Sequence, residues 1–255
     1  MSVTVESWGI TDIGLVRKNN EDVWAQIEGY EFFILADGMG GHQAGEVAAK
    51  EAVEALSRIV QQKFREKPTE QYSINELKEL IYHSVIDVNS VVYSIGSSDD
   101  ALRGMGTTLC CLTVTSGGVV YGHVGDSRIY RVRDGQLTQL TEDHTLSAPY
   151  FDNKADSPET AIKYKNFLTR TIGNDPLTVP DVEMAEIYQG DIYLLCSDGL
   201  TDMLANEDIQ RVLITAPTMQ DAAQNLVTEA KVNGGIDNIT VVVLKITQDE
   251  KNISR

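Results

Sequence analysis

The chain alternates between two periodicities. Strand-like segments come first, then helices, then strands, then helices, then a last strand. "WGITDIG", "DVWAQIE" and "EFFILAD" read as three early strands parted by turns. In "AGEVAAKEAVEALSRIVQQKF" the apolar spacing becomes helical, with Val47, Ala48, Ala52, Ala55, Leu56 and Ile59 on one face. "SINELKELIYHSVIDVNSVVYSIG" predicts a second helix, in which Ser73 is the N-cap and Glu76, three residues on, completes a capping box. The period then returns to two in "TTLCCLTVTSGGVVYGHVGDSRIYRVRDGQLTQL", where Gly117-Gly118 and Asp134-Gly135 are hairpin turn signals. Residues 143–172 are irregular and polar and hold Pro149 and Pro158, and a loop of that length inside a compact domain is usually functional or mobile. "VEMAEI" and "DIYLLCSD" are strands. "NEDIQRVLITA" and "TMQDAAQNLVTEAKVNG" are helices, the second capped by Thr218 and closed by Gly234. "NITVVVLKI" is nearly all apolar, as for a strand in the middle of a sheet. Runs of hairpins with helices grouped in pairs argue against regular βαβ alternation. They predict an α+β layered domain, with sheets face to face and helix pairs outside.

Composition narrows the function. With 255 residues, 42% of them hydrophobic, the chain can bury a sizeable core. Its net charge of −17, from 38 acidic and 21 basic residues, repels phosphate backbones and anionic lipid surfaces, so neither nucleic acid nor membrane is an expected partner. Three cysteines, two of them adjacent at Cys110 and Cys111, show no metal-finger spacing and fit reduced thiols in a cytoplasmic protein. "MSVTVESWGI" lacks the basic-then-apolar pattern of a secretory signal. No apolar run approaches the roughly 18 residues that a membrane helix needs. No regulatory domain is expected, because the sequence after Ile246 is only "TQDEKNISR".

One pattern recurs. "EFFILADG" ends in Asp37-Gly38, "DIYLLCSDG" in Asp198-Gly199 and "GGVVYGHVGDS" in Asp126, Asp237 stands at the mouth of the last strand, and Glu21 and Asp22 stand where the second begins. A single Asp-Gly pair is ordinary turn chemistry. Apolar strands repeatedly tipped with carboxylates suggest convergence, which would be costly unless cations neutralised the charge. Oxygen donors without a Cys/His cluster suit hard divalent ions such as Mg²⁺ or Mn²⁺. Two such ions can activate a shared water for hydrolysis.

The ordered motifs "RKNNED", "ADGMGGH", "GMGTT", "GHVGDSR", "LTRTIG", "LLCSDGLTD" and "GGIDNITVVVL" resemble those of the metal-dependent protein phosphatases of PPM type, or type 2C, especially bacterial members. The resemblance runs from about residue 6 to 246. It implies a four-layer α-β-β-α sandwich, two central mainly antiparallel sheets flanked by helix pairs, in agreement with the layered α+β reading. It implies a catalytic domain over residues 1–247 with a short polar tail at 248–255. The implied reaction is hydrolysis of phosphoserine or phosphothreonine by direct water attack, with two or three divalent ions, Mn²⁺ or Mg²⁺, as cofactors. Asp37 would bridge two ions, and the Gly38 carbonyl would bind one of them. Asp198 and Asp237 would complete the other ion's shell, and Glu21 and Asp22 would act on the first side, directly or through water. Asp126 with Asp198 would hold a third ion, supported by Asp202. Arg17 matches the family's phosphate-binding arginine, and its fork suits a phosphate dianion. Phosphorylated proteins, products of a serine/threonine kinase, are the implied partners of a monomeric enzyme.

Two positions depart from the family pattern. Met39 stands where many eukaryotic relatives carry a histidine proposed as general acid, and His42 does not replace it automatically. "IKYKNFLTRTIG" keeps Asn166 but lacks the histidine of the usual "HPxRN"-like run before "TR-IG", which bears on substrate choice. His144 is expected to anchor that loop, His123 and His83 to pack, Cys196 to be buried, and Arg128 and Arg170 to form structural ion pairs. "GMGTT" is expected to pack under the metal site. A dinucleotide-binding loop is the rival enzyme class, but Gln43 occupies the third glycine position of G-x-G-x-x-G, and a helix rather than an acid-tipped strand follows. A degenerate binding module should have lost a metal carboxylate, yet Asp37, Asp198 and Asp237 are all present. Small phosphate esters stay open as alternative substrates.

Overall fold

Central strands that are buried on both faces divide their side chains between two cores. In β3 (Phe32–Met39), Phe32, Ile34 and Ala36 face one core while Phe33 and Leu35 face another. The same alternation runs through β10 (Ile192–Cys196), where Leu194 and Cys196 turn one way and Tyr193 and Leu195 the other. It runs too through β11 (Ile239–Gln248), where Val241 and Val243 oppose Val242 and Leu244. A continuous apolar run is what such strands require.

The computed structural model describes residues 3–40, 44–146 and 167–248. The remaining strands are β1 (Val3–Asp12), β2 (Asp22–Gln26), β4 (Gly106–Thr107), β5 (Leu109–Thr115), β6 (Gly118–Val124), β7 (Arg128–Arg133), β8 (Gln136–Gln139) and β9 (Asp181–Ala185). One sheet has the order β1-β11-β10-β7-β8 and the other β2-β3-β5-β6-β9, with β4 pairing β3. Every ladder between these strands is antiparallel. The helices α1 (Ala44–Glu66) and α2 (Ile74–Ser98) cover the second sheet. The short α3 (Asp198–Thr201), α4 (Asn206–Thr215) and α5 (Met219–Val232) cover the first. Three apolar cores therefore separate four layers, α-β-β-α, as the motifs implied. Among the described residues no helix is long and apolar enough to cross a membrane.

The capping box at Ser73 and Glu76 forms as read, and Thr218 caps α5 by accepting from the Asp221 amide. Three local expectations are corrected. The first strand runs over Val3–Asp12 rather than residues 8–14, because ten residues of β1 pair with β11 and the chain then turns where Asp12 Oδ1 accepts the Gly14 amide at 2.8 Å. Asp198 begins a helical turn, α3, instead of merely ending a strand. His83 is exposed, not packed, because it lies two residues from Ile81 and so nearly opposite the buried stripe of α2, beside Glu79 at 3.8 Å.

Candidate metal and phosphate site

The sequence brings its carboxylates together through strand register. Asp22 and Asp37 are direct partners across the β2–β3 ladder. Asp37 is clamped through its main chain: its amide donates to Thr108 Oγ1 at 3.0 Å, and its carbonyl accepts from the Thr108 amide and Thr107 Oγ1, both at 2.8 Å. "GMGTT" thus packs under the site, as expected.

A cleft of about 660 Å³ opens over this point, lined by Arg17, Glu21, Asp37, Gly38, Asp126, Asp198 and Asp237, with Met39 on its wall. The structure gathers these predicted residues from loops and strand ends far apart in the chain. Asp22 is not in the lining; it is buried beneath, with Oδ2 accepting from Ser197 Oγ at 2.8 Å. Asp202 is exposed, at the C-cap of α3, where its amide donates to the Asp198 carbonyl at 2.8 Å. Arg17 reaches across the mouth, its Nη2 2.5 Å from Asp237 Oδ2. His42 and Asn166 lie outside the described residues, as do residues 147–166 of the irregular loop.

Two buried polar residues hold the site and escaped the sequence reading. Asn238 Oδ1 accepts the Glu21 amide at 2.9 Å, while its Nδ2 donates to the Ile13 and Asn19 carbonyls at 3.0 and 2.9 Å. Ser197 joins Asp22 to the last strand, since its Oγ also accepts the Thr240 amide at 3.0 Å. The signal available for Asn238 is its place directly after Asp237 at a strand mouth.

Electrostatics follow from burial and crowding. Burial, reinforced by the charges of Asp22, Asp198, Asp126 and Asp237, holds Asp37 well above the usual carboxylate range. Burial and then Asp126 and Asp237 push Asp198 up to about 7. Burial pushes Asp22 up to about 6, and burial with Asp143 pushes Asp126 to about 6. Burial also raises Glu21.

Such a cluster fits hard divalent cations. Its donors are all oxygens, as Mg²⁺ and Mn²⁺ prefer. Asp22 Oδ1 is buried without a hydrogen-bond partner, a cost that a nearby cation would offset. Glycines make the cradle narrow: a Cβ on Gly45 would stand 2.1 Å from Glu21 Oε2, and one on Gly38 would stand 2.2 Å from the Gly45 carbonyl oxygen.

With that geometry in view, similarity to known proteins is decisive. The family model for protein phosphatase 2C matches residues 17–233. The chain belongs to the protein phosphatase 2C family. It is 35% identical over 246 residues to protein phosphatase PhpP of Streptococcus pneumoniae, covering 94% of this chain and 97% of the relative. The serine/threonine phosphatase PstP/Ppp of Mycobacterium tuberculosis superposes with a TM-score of 0.82 at 35% identity, over 96% of this chain and 99% of that one. A PstP catalytic domain in complex with two manganese ions gives 0.82 at 34% identity, over 97% and 100%. The protein is a metal-dependent serine/threonine phosphatase of this family, as the motifs implied.

A second polar cluster abuts Gly125, the residue before Asp126 of the cleft. His123 and His144 stack at 4.4 Å between ring centroids, and His144 Nε2 lies 3.0 Å from Asp181 Oδ2. Their donor atoms are close enough together to suggest a metal. Hydrogen bonds already engage them: His144 Nδ1 accepts the Gly125 amide at 3.1 Å, His123 Nε2 meets the Glu142 carbonyl at 2.8 Å, and Arg170 pairs with Asp181 at 3.0 Å. The cluster holds the base of the irregular loop, where the Thr169 amide donates to the His144 carbonyl at 2.7 Å. Arg128 makes a forked ion pair with Asp143, the three cysteines are free, and Cys196 is buried, all as read; Cys110 and Cys111 are buried too.

Proposed function

We propose that Asp37 and the Gly38 carbonyl, with Glu21, Asp22, Asp198 and Asp237, would hold two divalent ions. Asp126, with Asp198 and support from Asp202, would hold a third. The observation that supports this reading is the meeting of Glu21, Asp37, Asp126, Asp198 and Asp237 in one cleft under an arginine. Bound there, divalent ions supply Lewis-acid polarisation of the phosphate and a lowered pKa for the attacking water.

The chain's own groups bind and orient. Arg17 sits at the mouth with half its side chain exposed and exchanges its contact with Asp237 for the phosphate of the substrate. Asn238 and Thr108 keep Glu21 and Asp37 in place through main-chain bonds. The Met39 thioether has no proton to give, so position 39 does not protonate the leaving oxygen. The cleft accepts phosphoserine and phosphothreonine on proteins that a serine/threonine kinase has modified, in a monomeric cytoplasmic enzyme.

The test is hydrolysis of p-nitrophenyl phosphate and a phosphothreonine peptide with chelator, Mg²⁺ or Mn²⁺. Wild type turns over both with metal and neither with chelator. Asp37→Ala and Asp198→Ala each lose activity by more than about a hundredfold, with the circular dichroism of wild type. Turnover by either variant within threefold of wild type would refute the assignment.

A further inference from the structure

We propose that an apolar rim beside the cleft, formed by Leu15, Val16 and Ile236 and extended by Ile13 and Val232, receives a large apolar side chain of the substrate protein. That side chain lies within about three residues of the phosphorylated one, the reach of an extended chain of ~10 Å. The inference rests on the phosphatase reading of the cleft.

These five side chains are 39%, 63%, 64%, 80% and 52% exposed, for Ile13, Leu15, Val16, Val232 and Ile236 in turn. Single exposed hydrophobics are ordinary, but several on two abutting segments mark a binding surface. The segments do abut. The Leu15 amide donates to the Gly235 carbonyl at 2.7 Å, and a Cβ on Gly235 would lie 3.2 Å from Leu15 Cγ. Gly14, at φ +78°, passes so close that a Cβ would meet the Asp237 carbonyl oxygen at 2.2 Å. Asn238 further ties down the Ile13 carbonyl. The main chain of the rim is therefore fixed while its apolar side chains face outward. A pre-ordered surface of this kind binds without first having to be ordered.

Continuity with the cleft selects the occupant. Val16 adjoins Arg17, and Ile236 adjoins Asp237, the two residues that pair at 2.5 Å across the mouth. The rim lies next in sequence to both residues of the mouth, so a polypeptide whose phosphate lies at Arg17 can lay one flank across it. A small aryl ester ends before reaching it. The rim thus separates peptide substrates from small esters and separates peptides from one another.

The experiment uses phosphothreonine heptapeptides on a Gly/Ser background, with one leucine scanned from three residues before to three after the phosphoresidue. Each kcat/KM, measured with Mn²⁺, is divided by that for p-nitrophenyl phosphate. In wild type, leucine on one flank raises the ratio about 5- to 20-fold over serine, as expected for partial burial of one leucine. Leu15→Ser/Val16→Ser and Ile236→Ser lose most of that gain. Ile214→Ser, exposed on α4 and outside the cleft lining, keeps it. If the double variant melts early, Val16→Ser alone, at the more exposed of the two positions, gives the same reading. Equal ratios for every peptide in wild type, or a leucine preference that survives in the rim variants, would overturn the proposal. Failure of wild type to hydrolyse even the aryl ester with metal would instead overturn the phosphatase reading, and the rim with it. A dimer in light scattering that Leu15→Ser/Val16→Ser dissolves would assign the rim to a second copy and also overturn it.

Discussion

The acidic floor should make the metal-free protein lose stability as pH rises through neutrality. Asp198 is displaced from an ordinary 3.8 to about 7, and Asp22 and Asp126 from 3.8 to about 6. In each case the folded state holds a proton that the unfolded chain has already released. Folding therefore takes up protons between about pH 4 and 7, and stability falls with pH across that window and levels off above it. For a single carboxylate moved as far as Asp198, the loss between pH 5 and 8 is about 2–3 kcal/mol. Asp22 and Asp126 add to this by less than their separate displacements, because the protons leave a mutually repelling set in shared steps. One such loss lowers the melting temperature of a domain of this size by about 5–10 °C. Calorimetry of chelated protein at pH 5.0 and 8.0 should show that drop. Asp198→Asn, which cannot ionise, should melt higher than wild type at pH 8.0 without metal and show a smaller drop. Excess Mn²⁺ at pH 8.0 should restore wild type more than the variant, because ligand binding to the folded state stabilises it. A chelated wild type that melts at pH 8.0 as high as at pH 5.0 would refute the claim that these carboxylates repel one another in the fold.

Two substitutions probe other parts of the cleft. Arg17→Ala should raise KM for p-nitrophenyl phosphate about 10- to 100-fold, the range of a lost charged hydrogen-bonding group, with a smaller change in kcat, and an unchanged KM would remove Arg17 from phosphate binding. Gly45→Ala puts a methyl 2.1 Å from Glu21 Oε2 in the first turn of α1, so Mn²⁺ affinity measured by calorimetry should fall about 10- to 100-fold while helix content is kept, and unaltered Mn²⁺ binding would show that Glu21 has no part in it.

Much of this was legible because it is local. A strand buried on both faces must be a continuous apolar run, so "EFFILA" and "YLLC" could be read as interior strands. A capping box lies within four residues, so Ser73 and Glu76 could be read directly. What stayed hidden depends on groups far apart in sequence. Asn238 matters because it bonds to residues 217 to 225 positions away. Ser197 matters because Asp22, 175 positions away, is buried against it. The early start of β1 was likewise set by pairing with β11 rather than by its own mixed pattern. His83 lies on the solvent side of α2 by helical phase, a placement that depends on its distance from Ile81 rather than on its residue type.

The positions of the acids also encode sheet direction. Asp37, Asp126 and Asp198 follow the apolar parts of β3, β6 and β10, whereas Asp22 and Asp237 stand at the starts of β2 and β11. In a parallel sheet all would need to follow their strands to share one edge. In an antiparallel ladder the end of one strand faces the start of the next. Asp22 opposite Asp37 shows this within one sheet, and Cys196 opposite Val241, which brings Asp198 near Asp237, shows it within the other. A mixture of leading and trailing acids is thus what an antiparallel sandwich needs to concentrate charge at one end. That concentration makes the metal-free fold pay in stability at neutral pH, and the same repulsion gives divalent cations their hold. Neutralising one acid should therefore move metal-free stability and metal affinity in opposite directions, a sign relation that a purely structural role for these carboxylates would not produce.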